Sequence, residues 1–103
     1  MLMAAFALSH DALAHDNWIG RGGLRNAAGE LCCGEGDCVI IPARDVQLRT
    51  DGYYLRFTYG HDTAWRAEIV PLAEAQPSPD GAYWRCKRPD GSRRCFFART
   101  PNT

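Results

Sequence analysis

Five cysteines are the residues of this sequence most able to do chemistry, and their spacing narrows what that chemistry is. Cys32, Cys33 and Cys38 crowd into the stretch ELCCGEGDC, while Cys86 and Cys95 flank a turn near the other end of the 103-residue chain. A thioredoxin-like redox pair needs C-x-x-C and an attached c-type haem needs C-x-x-C-H; neither occurs. Four thiolates could hold a structural Zn²⁺, yet the spacings C-x4-C and C-x8-C lack the two-residue knuckle of recognisable zinc sites. Disulfides fit better. A bond between the adjacent Cys32 and Cys33 would be strained, and two of the remaining schemes are attractive. In one, Cys86–Cys95 bridges a hairpin and Cys38 bonds Cys32 or Cys33. In the other, two cysteines of the early cluster reach Cys86 and Cys95, each closing a loop worth roughly 4 kcal/mol in the chain-entropy model. The sequence does not choose between them. Either scheme leaves one thiol, expected at Cys32 or Cys33 and expected to be buried and inert.

Histidine chemistry depends on processing. Met1–Leu8 is a short apolar block, Ser9-His10-Asp11 breaks it, and Ala12-Leu13-Ala14 fits the small-x-small rule for signal-peptide cleavage. Residues 1–14 are therefore expected to be a signal peptide, and residues 15–103 a single disulfide-rich domain. Cleavage after Ala14 would place His15 at the new N-terminus. Its amine and imidazole could then chelate Cu²⁺, with His61 or Asp16 as a further ligand. Copper at His15 and zinc at the cysteines make up the metal-handling alternative. For catalysis, Glu35 and Asp37 lie in a glycine-rich loop with no neighbouring base. Nothing in the spacing puts a free thiol beside a histidine. The expectation is a non-enzymatic protein without a cofactor.

Charge suggests binding instead. The formal charge of the chain is zero, but six arginines face ten acids over residues 16–80, whereas six cations face Asp90 alone over residues 81–103. Eleven of the twelve cations are arginine, which favours bidentate and stacking contacts. The basic end coincides with YWRCKRPDGSRRCFF, two strand-like runs around Pro-Asp-Gly. A four-residue loop Pro89–Ser92 puts Trp84, Cys86, Cys95 and Phe97 on one face of this hairpin. The other face then carries Tyr83, Arg85, Lys87, Arg94 and Phe96. This second face is the expected binding surface, for an anionic cell-envelope component or a protein, with nucleic acid the least expected partner. The competing expectation is that its cations pair internally with Glu30, Glu35 and Asp37.

The elements that must position these residues are short. Asp16–Gly20 could form one helical turn, followed by glycine-rich irregular chain. CVIIP (38–42) and DVQLR (45–49) read as strands, and Asp51-Gly52 as a hairpin turn. YYLRFTY (53–59) and AWRAEIV (64–70) alternate. Pairing Leu55 with Ile69, Phe57 with Ala67 and Tyr59 with Trp65 buries one apolar face and sets Arg56 against Glu68. PLAEAQPSPDG reads as a loop with a helical turn at Leu72–Ala75. The fold expected is mainly β: a small antiparallel sheet or partly open barrel of five or six strands, with an irregular N-terminal segment, stapled by disulfides.

Three motifs in order, AHDNWI, CCGEGDC and SPDGAYWRCKRPDGSRRCFF, resemble a family of small exported bacterial proteins without an established activity. The resemblance implies export to the periplasm or medium and a disulfide-rich domain. It supplies no catalytic residues.

Overall fold

A computed structural model describes residues 18–32, 37–58 and 63–99. One helical turn, α1 (Trp18–Gly22), precedes seven strands: β1 (Cys38–Ile41), β2 (Val46–Arg49), β3 (Gly52–Phe57), β4 (Arg66–Pro71), β5 (Ala75–Pro77), β6 (Tyr83–Lys87) and β7 (Arg93–Ala98). Single 3-10 turns at Ala43–Asp45 and Leu72–Glu74 lead into β2 and β5. The strands form a four-stranded sheet, β1-β6-β7-β5, and a three-stranded sheet, β2-β3-β4, which do not close into a barrel. The mainly β, disulfide-stapled fold agrees with the sequence pattern. β5 falls inside the expected loop. Three residues ending in proline carry no alternation to read, and β5 exists because it pairs in parallel with β7, Ala75 opposite Phe96.

Two cores explain the layering. The first draws Tyr53, Leu55, Phe57 and Val70 from the three-stranded sheet and Ile41, Phe96 and Ala98 from the four-stranded one. The second lies on the other face of the four-stranded sheet, where Ile19, Cys32, Cys86, Cys95 and Phe97 pack with Trp18, Leu24 and Trp84. β7 supplies both by strict alternation, Cys95 and Phe97 to one side, Phe96 and Ala98 to the other. Burying a Phe in this way is worth roughly 1.5–3 kcal/mol. Both faces of the β6–β7 hairpin are therefore covered.

The carboxylate of Asp80 fastens α1 over the second core. It accepts the indole N–H of Trp18 at 2.9 Å and of Trp84 at 3.0 Å, the Ser78 hydroxyl at 2.8 Å and the Ala82 amide at 3.0 Å. Burial pushes this carboxyl up, and those four donors more than reverse the shift, leaving it below its ordinary value. Trp18 in turn meets Phe97 edge-on, ring centroids 5.0 Å apart.

The β3–β4 register corrects the sequence reading. Leu55 lies opposite Glu68, Phe57 opposite Arg66, Tyr53 opposite Val70 and Arg56 opposite Ala67. This is one residue away from the expected pairing, and with a period of two it turns the whole of β4 over. Glu68 and Val70 point inward. Trp65 and Ile69, expected in the core, are 58 % and 47 % exposed. Gly52 sits where β3 passes β4 most closely: a Cβ there would lie 2.3 Å from the Val70 carbonyl oxygen.

Candidate binding surface

The hairpin face read from the sequence as a binding surface is an interior. Phe96 is 1 % and Arg85 3 % exposed, and Tyr83, half-buried, stacks parallel to Phe96. The alternation itself is as expected; what the sequence does not show is a second sheet packed on that side. Near the turn the pairing slips by one residue, so Cys86 faces Cys95 but Lys87 faces Arg93. Arg93 rather than Arg94 therefore joins Arg85, and Lys87 is only partly exposed.

Arg85 is held from all sides. Its Nε and Nη2 donate to the two Glu68 oxygens at 2.9 and 3.1 Å, Nη2 also donates to the Gly91 carbonyl at 3.1 Å, and the guanidinium lies 4.1 Å over the Phe57 ring. Arg93 reaches Glu68 at 3.1 Å and Glu74 at 2.7 Å. Burial raises the Glu68 carboxyl, and the bonds and charges of Arg85 and Arg93 outweigh it, so the group titrates below its ordinary value. The inward turn of β4 follows from this arrangement: a buried guanidinium left without a carboxylate would be far more costly than an exposed Ile69.

Arg88 and Arg94 also pair internally. Arg88 grips Glu30 through two bonds of 2.9 and 2.5 Å, and Asn26 donates to the same carboxylate at 2.8 Å. Arg88 and then Asn26 pull the Glu30 carboxyl down to about 2. Arg94 lies 3.5 Å from Asp37 and donates to the Leu31 carbonyl, while its buried Nε has no partner. Basic hairpin and acidic early segment thus face each other, as the charge asymmetry suggested.

The bridges enforce that meeting. Cys32 bonds Cys95 and Cys38 bonds Cys86, with sequence separations of 63 and 48. This is the long-loop scheme, and Cys33 is the cysteine left over. Cys33 and Glu35 lie outside the described residues, as do Asp16, His15, His61, Tyr59 and the expected signal peptide. The four cysteines in bridges are no longer available as thiolates, so the zinc alternative loses its ligands. Among the described residues no cluster of three or more His, Cys, Asp or Glu could hold a metal ion.

A different surface is open. On the outer side of β2-β3-β4 a broad groove of about 830 Å³ is lined by Arg44, Gln47, Arg49, Tyr54, Arg56, Ala67 and Ile69, with the acids Asp45 and Glu68 also in its wall. Arg49 lies 3.8 Å over the Tyr54 ring, its Nε and Nη2 donating to Gln47 at 3.0 and 2.7 Å. Arg56 lies 4.6 Å over the ring of Trp65. The Tyr54 hydroxyl donates to Asp51 at 3.0 Å. Arg44, Arg49 and Arg56 are exposed, and among the described residues none has a carboxylate partner, in contrast to Arg85, Arg88, Arg93 and Arg94. Sequence alternation places Gln47, Arg49, Tyr54 and Arg56 outward. The groove itself was hidden by β4, whose Trp65, Ala67 and Ile69 have the pattern of a core face; Ala67 and Ile69 form its far wall.

No family model, curated protein or solved structure matches this chain. The resemblance to small exported bacterial proteins therefore rests on its motifs alone. Two disulfides fit an oxidising compartment, and no helix among the described residues is long and apolar enough to cross a membrane.

Proposed function

We propose that this chain is an exported bacterial binding module without enzymatic activity, working in the periplasm or outside the cell, whose recognition surface is the outer face of β2-β3-β4. One observation carries the reading: the only described face with several arginines lacking carboxylate partners is also an uncovered sheet face with apolar residues facing solvent. An antiparallel sheet exposed on one side ordinarily turns polar residues outward. Here Trp65, Ala67 and Ile69 face outward beside Arg49 and Arg56, the composition expected of a recognition surface for an anionic partner.

The test compares two charge reversals on a sulfonate matrix. R49E/R56E is expected to lose retention and keep its thermal stability and both bridges. R85E/R93E is expected to unfold, since it sets two further carboxylates against Glu68 between the sheets. Unchanged retention of R49E/R56E would refute the reading.

A further inference from the structure

We infer that the partner of this face is an acidic polysaccharide carrying carboxylates, a polyuronate chain lying across β2, β3 and β4. The inference rests on the binding reading above and names its ligand.

Three features of the groove select this class. The first is the sign and spread of its charge. Arg49 pairs with Gly52, and Arg56 lies four residues further along β3, about 13 Å at the usual strand rise. Arg44 lines the same groove. A repeating anion meets these arginines in turn.

The second feature is the layering. Arg49 lies over the ring of Tyr54 and Arg56 over that of Trp65, so one face of each ring is already taken by a guanidinium. Base stacking calls for ring faces that bases can reach, and here each ring already has a guanidinium over it.

The third is geometry. A guanidinium held flat on a ring loses less freedom when it binds, and its N–H edge matches a planar carboxylate bidentately. Arg56 makes no hydrogen bond to a described residue, and the Nη1 of Arg49 remains available once Gln47 has taken Nε and Nη2. Across β4 from Arg56, Ala67 and Ile69 offer an apolar wall against which the apolar face of a sugar ring can rest. Trp65 is then a positioning residue that acts through Arg56.

The full oxidised chain is titrated with polygalacturonate, neutral dextran, phosphatidylglycerol vesicles and oligothymidylate at about 0.15 M salt, where the Debye length is about 8 Å. The expected result is binding to polygalacturonate and none to dextran, with R49E/R56E weakening it at least about tenfold. W65A weakens it and W65F restores it, because either ring supports Arg56. A merely structural Trp65 would give W65A lower stability and unchanged affinity. Tighter binding to vesicles or to oligothymidylate, still abolished by R49E/R56E, overturns the polyuronate assignment and leaves the anion-binding face intact. Failure of every anionic probe, or binding indifferent to R49E/R56E, overturns both.

Discussion

Replacing Glu68 with glutamine is the sharpest perturbation of the fold. Arg85 is 3 % exposed and its Nε and one terminal nitrogen end on Glu68, which is itself 22 % exposed and also receives Arg93. Removing one partner of a buried ion pair costs roughly 3–5 kcal/mol, because the other charge stays buried without compensation. The partial exposure of Glu68 and the acceptor oxygen kept by glutamine put E68Q at the lower end, about 3 kcal/mol. For a domain of this size that is a fall in Tm of roughly 12 °C or more. Urea or thermal denaturation, with both bridges verified by non-reducing mass spectrometry, reads the loss. The double variant R85M/E68L should recover most of it, since an apolar replacement of a buried pair is often neutral. pH dependence gives an independent check. Glu68 titrates below its ordinary value of 4.5 in the folded chain. Its contribution is therefore complete above about pH 4.5 and is lost as pH falls through the folded value, and E68Q should remove that part of the acid transition. An E68Q variant within 1 kcal/mol of the parent would refute the claim that this carboxylate decides which way β4 faces.

Three further outcomes follow from single contacts. Gly52→Ala should lose roughly 2 kcal/mol or more, because its Cβ would lie 2.3 Å from a backbone oxygen that can move only with β4; chemical denaturation measures it. Removing the Cys38–Cys86 bridge as C38S/C86S should cost about 3 kcal/mol, because with Cys32–Cys95 intact the inner bridge closes only the roughly 15 residues by which the separations of 63 and 48 differ, read from the denaturation midpoint against the parent. In carboxyl NMR titrations Glu30 should titrate at about 2 and move back toward 4.5 in R88A, so the Arg88–Glu30 link is present above about pH 4.5 and released as pH falls toward 2.

How far the sequence could be read depended on whether a residue's partner was local. β6, β7 and the sorting of Trp84, Cys86, Cys95 and Phe97 onto one face were legible, since alternation and Pro-Asp-Gly report local geometry; the loop is not the expected Pro89–Ser92, because the Arg88 amide bonds the Ser92 carbonyl and the slip beside Cys86 restores the sorting. The β2–β3 hairpin was legible for the same reason, except that its turn is Thr50-Asp51 rather than Asp51-Gly52, and Gly52 already pairs with Arg49. The orientation of β4 was not. Its alternation presents Trp65, Ala67 and Ile69 as the buried set, and local pattern favours that choice. A distant residue overrides it: Arg85, 17 positions further on, needs Glu68 inside. The second sheet over Tyr83, Arg85 and Phe96 was invisible for a related reason, because a strand covered on both faces and a strand covered on one can carry the same alternation. Cysteine spacing admitted the long-loop bridges, and only the pairing of β1 with β6, Cys38 opposite Cys86, selects them.

The distribution of charge links this misreading to function. Taken by segments, the chain has an acidic first part and a basic end, and the basic end looks like the binding surface. In the folded chain those two excesses meet: Glu30, Asp37, Glu68 and Glu74 answer Arg88, Arg94, Arg85 and Arg93. The disulfides hold the segments in that arrangement, Cys32 and Cys38 on one side, Cys95 and Cys86 on the other. The groove arginines Arg44, Arg49 and Arg56 have no carboxylate partner among the described residues, and they belong to the part of the sequence that is net acidic. The same exchange that draws Glu68 inward removes an acid from beside Arg56 and turns an apolar stripe outward. Stability and recognition are therefore coupled through one strand. A variant that rescued the expected β4 register would neutralise Arg56 with Glu68 and bury Trp65 and Ile69, abolishing the groove without touching any of the arginines that line it.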